Sequence, residues 1–201
     1  WDVRLEPPPA IVPRRRRLTV KERVLFDGRI HQTLDEESAR AAARRLALQG
    51  VDSVAICTLF SFVNPIHERR LAEIVAEELP DATISLSHRV MPKAPEFERT
   101  STTVVNAYIG PKVTAYLDRL SERLKSAGYR RDFLVMQSSG GVMTREYLRE
   151  TPVRVLASGP AGGVIGGAQI GVAKDAKDLL CVDMGGTSYD VSVVRNGQAP
   201  A

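Results

Sequence analysis

Asp183, Gly185, Gly186, Thr187, Ser188 and Asp190 bring two carboxylates, two glycines and two hydroxyls into one short stretch. Glycine lets a backbone approach a charged ligand and aim successive N–H groups at it, and a neighbouring hydroxyl adds a hydrogen bond. Asp183 and Asp190 can orient a magnesium ion or its water shell, because that ion keeps several waters and takes one or two carboxylates beside phosphate oxygens. The same residues also suit an ordinary β-hairpin, with Gly185-Gly186 in a type I′ turn and the polar side chains capping backbone groups. The pattern is not the longer phosphate loop that ends in Gly-Lys-Ser/Thr.

The elements on either side fit a strand pair: Leu179, Leu180, Cys181 and Val182 lead in, and Val191, Val193 and Val194 lead out. Two other glycine-rich loops precede it. Gln137-Ser138-Ser139-Gly140-Gly141 follows a predicted strand at Phe133 to Met136, and Ser158-Gly159-Pro160-Ala161-Gly162-Gly163 opens a small-residue helix through Val164, Ile165, Ala168 and Ile170. Gly162 and Gly163 serve either an anion at the helix entry or close helix packing. Thr151 to Leu156 reads as a short strand.

Upstream, Pro7, Pro8, Pro9, Pro13 and Arg14 to Arg17 predict an extended connector. Strands are expected at Leu18 to Val20 and Arg23 to Phe26, with an Asp27-Gly28 turn. Thr33 with Glu36 forms a capping box for a helix from about Leu34 to Gln49, with Gly50 as its C-cap. A strand follows at Val54 to Leu59, then a helix entered through Asn64-Pro65, then a strand around Ile84 and Leu86. This alternation predicts an α/β layer with parallel strands. Residues 97–127 read as helical, with a break at Gly110-Pro111. The expected division is an α/β part over residues 1–90 and a helical, then α/β part over residues 91–201.

Composition removes several classes. The 201 residues, 43% hydrophobic and 26% charged, suit a folded chain with a substantial core. A net charge of +4, one dense basic run and 5% aromatic residues argue against nucleic acid. No apolar run is long enough to span a membrane. Cys57 and Cys181 lie in apolar runs and are expected as buried thiols, which points to a reducing, cytoplasmic setting. The first residue, Trp1, reads as an internal start, so an upstream signal would be invisible. His67, Glu68 and Arg99 read as capping, solvent-facing or structural groups, with His67 kept as a candidate substrate or metal contact. His31 and His88 have no partner at ligand spacing, so no zinc site is expected.

The three loops in order, together with Asn64-Pro65-Ile66-His67-Glu68-Arg69-Arg70 and Glu98-Arg99-Thr100-Ser101-Thr102-Thr103-Val104-Val105-Asn106-Ala107-Tyr108, give a chain that resembles the hydantoinase A and 5-oxoprolinase family. Acetone and acetophenone carboxylase subunits belong to the same family. The resemblance implies an actin-like ATPase fold, with residues 1–201 spanning the end of the first lobe and the start of the second. It implies ATP and Mg²⁺ as cofactors, with Asp183 and Asp190 as catalytic and metal-orienting groups. Gly185, Gly186, Thr187, Ser188, Gly162 and Gly163 are then the cofactor contacts. The implied reaction is ATP-dependent hydrolysis of a cyclic amide such as 5-oxoproline or a hydantoin, by phosphorylation of its carbonyl. A subunit of a ketone carboxylase, or a nucleotide-gated binding module, is the alternative. The resemblance further implies a hydantoinase B-type partner subunit or fused domain, and leaves a homo-oligomer open. It puts the other phosphate hairpin before Trp1 and the adenosine loop after Ala201, so residues 1–201 alone are expected to be inactive.

Overall fold

The computed structural model describes residues 9–199. Trp1, Pro7 and Pro8 therefore lie outside the described residues. The chain divides into two compact units within one long helix, after Ala115.

The first unit is built on a parallel strand pair, β3 (Ser53–Ile56) and β4 (Thr83–Leu86), in register from Ser53 opposite Thr83 to Ile56 opposite Leu86. A small antiparallel pair, β1 (Arg23–Val24) and β2 (Ile30–Gln32), precedes it. Helix α1 (Glu36–Ala47) leads into β3, and α2 (Ile66–Glu78) is the crossover to β4, as a parallel pair requires. Ala39 and Ala43 of α1, Val54 and Ile56 of β3, and Leu71, Ile74, Val75 and Leu79 on or just after α2 form one core cluster. Short α3 (Ser87–Val90) follows β4 at once, and α4 (Glu96–Ser126) follows that.

In the second unit β5 (Val135–Met136) and β6 (Val142–Met143) form a hairpin around the Gln137 to Gly141 loop. Helix α5 (Arg145–Glu150) comes next, capped by Thr144, whose side chain accepts from Tyr147 N. Helix α6 (Ser158–Ala173) then precedes the antiparallel pair β7 (Leu179–Met184) and β8 (Tyr189–Val194).

Several local expectations are overturned, each for a visible reason. Leu18 to Val20 is not a strand; the backbone just beyond it is tied to α1 instead, with Lys21 N donating to Ser38 Oγ and Lys21 O accepting from Asp35 N. Asp35, not Thr33, caps α1, because its carboxylate reaches Ser38 N at 3.0 Å. The Arg14–Arg16 segment is a short 3-10 turn. Thr151 to Leu156 is also not a strand: Pro152 has no N–H for a ladder, and Pro152–Val155 closes into 3-10 turns.

The predicted break at Gly110-Pro111 does not occur. Helix α4 runs through Pro111, and the carbonyl of Ala107, which a proline cannot serve, accepts from Ser53 Oγ at 2.7 Å. A side chain from the neighbouring strand thus replaces the lost helical bond. Cys57 and Cys181 are free but only half-buried. Among the described residues no helix is long and apolar enough to cross a membrane.

Candidate functional site

β7 and β8 pair residue for residue from Leu179 opposite Val194 to Met184 opposite Tyr189, so side chains alternate between two faces. One face carries Leu179, Cys181 and Asp183 against Val194, Ser192 and Asp190. The other carries only Leu180, Val182, Met184, Tyr189, Val191 and Val193. Asp183 and Asp190 stand directly opposite each other, so both carboxylates leave the same face, and both are exposed. Like charges in that position repel. A divalent cation between them would turn the repulsion into attraction, which is the physical reason to read the pair as a cation-orienting site.

The turn differs in detail from a two-residue Gly-Gly hairpin. Gly185 N donates to Ser188 O at 2.9 Å, so Gly186 and Thr187 form the tip, and neither Gly185 nor Gly186 takes a positive φ. A type I′ turn needs positive φ at both central residues, so that turn is absent. A Cβ built on Gly186 meets no atom within 4 Å, so the tip has open space beside it, while the Gly185 amide is spent on closing the turn. Ser188 Oγ donates to Asp190 Oδ2 at 3.2 Å and steadies one carboxylate. Thr187 is exposed at the tip.

Helix α6 lies on the aspartate-bearing face. A Cβ on Gly171 would sit 2.3 Å from Leu179 Cδ1, and one on Gly167 would sit 2.7 Å from Cys181 Sγ. Four helical residues rise about 6 Å, close to the span of two strand residues. α6 and β7 therefore run in opposite directions, so the start of the helix points toward the end of β7 that carries Asp183. The helix N-terminus, with its free amides and positive dipole end, thus lies at the same end of the unit as the two carboxylates. Gly163 is open, with nothing within 4 Å of a built Cβ, whereas Gly162 would meet Met136 Cγ at 3.6 Å and has a packing role. The chain turns into α6 at Ala157, which takes φ 59°. The Gln137 loop also packs here: a Cβ on Gly140 would stand 3.1 Å from Ile165 Cδ1, and Ser138 N donates to Arg154 O. All three glycine-rich loops therefore belong to the second unit: the first packs on α6, and the strand leading into the last packs on it through Leu179 and Cys181.

The first unit holds a polar cluster that spacing did not reveal. Glu68 is fully buried. Its carboxylate accepts from Thr58 N at 2.9 Å, Ser87 Oγ at 2.6 Å and His88 N at 3.1 Å, and lies 2.7 Å from His88 Nδ1. Buried His67 instead pairs with Glu22 at 2.7 Å, which accounts for it structurally and leaves no observation for a ligand role. Arg99, read with His67 and Glu68 as a capping, solvent-facing or structural group, has no exposed surface at all. Neighbouring residues 67 and 68 thus point to different partners, 45 and 20 positions away. The one sequence signal for this cluster was the polar character of Cys57-Thr58 and Ser87-His88 just past two apolar strands. No group of three or more His, Cys, Asp or Glu residues suited to a metal occurs among the described residues.

Two family models match the chain: hydantoinase/oxoprolinase N-terminal region over residues 4–79 and hydantoinase/oxoprolinase over residues 99–200. The chain belongs to the hydantoinase/oxoprolinase family. The family's relatives are larger proteins. The acetophenone carboxylase gamma subunit of Aromatoleum aromaticum is 34% identical over 182 residues, which are 88% of this chain and 25% of that protein. The structure of nucleotide-free acetone carboxylase, described as ATP-dependent, superposes with a TM-score of 0.87 at 34% identity, covering 94% of this chain and 27% of the other. The crystal structure of ATP-dependent caprolactamase from Pseudomonas jessenii gives 0.86 at 35% identity, over 96% and 28%. This member of the hydantoinase/oxoprolinase family therefore has their α/β fold, over less than a third of their length.

Proposed function

We propose that this chain supplies one phosphate- and magnesium-binding half of an ATP-dependent enzyme that activates a carbonyl-type oxygen, as a subunit of the ketone carboxylase kind. The observation that carries the reading is the cross-strand pair Asp183 and Asp190 beside an open glycine tip. The donor set fits the cofactor: two exposed carboxylates on one face for the cation, the Gly186 amide and Thr187 hydroxyl at the open tip for phosphate oxygens, and the α6 N-terminal turn for remaining negative charge. Bound MgATP would supply a transferable phosphoryl group that turns a poor electrophile or leaving group into a good one. The chain's own part is positional: Asp183 and Asp190 orient the cation's water shell, Ser188 holds Asp190, and the backbone amides offset charge that develops on the phosphate.

Opening of a cyclic amide is the second reading, favoured by the caprolactamase superposition over 96% of the chain. The two share the hairpin and differ in the acceptor oxygen. ATP turnover by the complete protein with its partner subunit separates them when a ketone with bicarbonate is compared with lactam, hydantoin and 5-oxoproline. Asp183→Asn tests what they have in common. Magnesium-dependent ATP affinity, measured by calorimetry, is expected to fall about ten-fold or more with folding retained; an unchanged affinity removes the site.

A further inference from the structure

Ligands of open parallel α/β sheets bind beyond the carboxyl ends of the strands. In the first unit those ends are Cys57-Thr58 after β3 and Ser87-His88 after β4, where the buried polar cluster lies. Its most unusual member is Arg99. The guanidinium is completely buried, yet among the described residues it forms no ion pair: Nη1 donates to Lys93 O at 3.1 Å, Nη2 donates to Thr58 O at 3.0 Å, and Nε has no partner. Buried cations are ordinarily paired with an anion.

Two more unpaired atoms belong to the same hydrogen-bonded network. Thr58 Oγ1 is buried without a partner, although Thr58 N and O are both bonded within the cluster. His88 Nε2 is also unpaired, on a side chain only 9% exposed whose Nδ1 faces Glu68. An aromatic cover lies over one side: the Phe62 ring stands 5.1 Å from Arg99 Cζ. The turn that carries it holds Phe60 at φ 60°, a conformation bulky residues avoid. Three buried polar atoms without partners, beside a strained turn, are costly as a final state and reasonable as a resting one.

We propose that this cluster is the closed form of an anion site, taking a small oxyanion of carboxylate or phosphate type that accepts from Arg99 Nε and Thr58 Oγ1. The Phe60 to Phe62 turn moves aside to admit it. The site lies wholly in the first unit and does not depend on nucleotide at the second.

The chain's three histidines make a direct test possible. His31 is exposed, His67 is engaged by Glu22, and His88 reports the site. Imidazole ¹⁵N resonances of the labelled protein are followed during addition of acetate or inorganic phosphate, with chloride at matched ionic strength as control. The expected result is a saturable shift confined to His88, with acetate if the ligand is a carboxylate and with phosphate if it is a phosphate. Thr58→Val removes a hydroxyl that has no partner in the closed form, so the fold is kept, and affinity is expected to drop about ten-fold. Equal drift of all three histidines, no saturation with either anion, or an unchanged affinity in Thr58→Val would overturn the proposal.

Discussion

At the residue scale, the chain places its charged groups in two opposite environments. Asp183 and Asp190 are exposed and face each other, whereas Glu68 is buried among four hydrogen-bonding groups. An exposed carboxylate can bind or release a cation with little change around it. A buried one that accepts several bonds is fixed, because its loss strands each donor. Glu68→Gln puts an amide N–H₂ where an acceptor oxygen stood, and is expected to cost roughly 3 kcal/mol. A urea melt followed by circular dichroism reads this, and a loss below about 0.5 kcal/mol would contradict the reading of Glu68 as a structural hub. The hairpin itself was legible in sequence, since apolar runs on either side of a glycine pair announce two strands and a turn. The role of Glu68 was not: its partners Thr58, Ser87 and His88 are brought in by the α2 crossover, and nothing in local spacing records that.

At the element scale, the α1 and α2 helices are joined outside their apolar core by ion pairs. Arg70 Nε donates to Glu36 Oε1 at 2.7 Å, and Arg44 Nε donates to Glu78 Oε2 at 2.9 Å. Hydrogen bonds from Arg70 and Arg44 hold the Glu36 and Glu78 carboxyls below their ordinary value of 4.5. A carboxyl lowered in the folded state adds stability above its unfolded value, and that stability is lost as pH falls through the folded value. Stability is therefore expected to be flat from neutral pH to about 4.5 and to decline below it, with the ion-pair share reduced by salt. Thermal melts of the protein and of Arg70→Gln across that range check this: the variant should show a shallower decline. The helix boundaries were largely readable from caps and periodicity. Pro111 was misleading because its break depends on whether Ala107 O finds another donor, and Ser53 provides one from 54 positions away. Gly167 and Gly171 also gain their meaning from packing, since only β7 against α6 makes a Cβ there collide with Cys181 and Leu179.

At the scale of the whole molecule, the strand pair β7–β8 shows six apolar side chains on the face away from the aspartates, from 48% exposed at Val182 to 76% at Met184. A continuous apolar face of this kind drives association when it is left open to water. The chain is expected to self-associate with concentration in sedimentation velocity, and Val182→Lys with Val191→Lys should reduce that association; an unchanged profile would place the contact elsewhere. The sequence by itself determined the α/β alternation, the family and the strand–turn–strand of residues 179–194, because apolar period, caps and glycine-rich loops are local properties. Only the tertiary structure decided which of those residues act together. Asp183 meets Asp190 through strand register, α6 packs along β7 through two glycine contacts, and Arg99 becomes a buried cation because the segments carrying Thr58, Phe62 and Lys93 close around it. Register, packing and burial are relations between distant residues, so the fold must form before they exist.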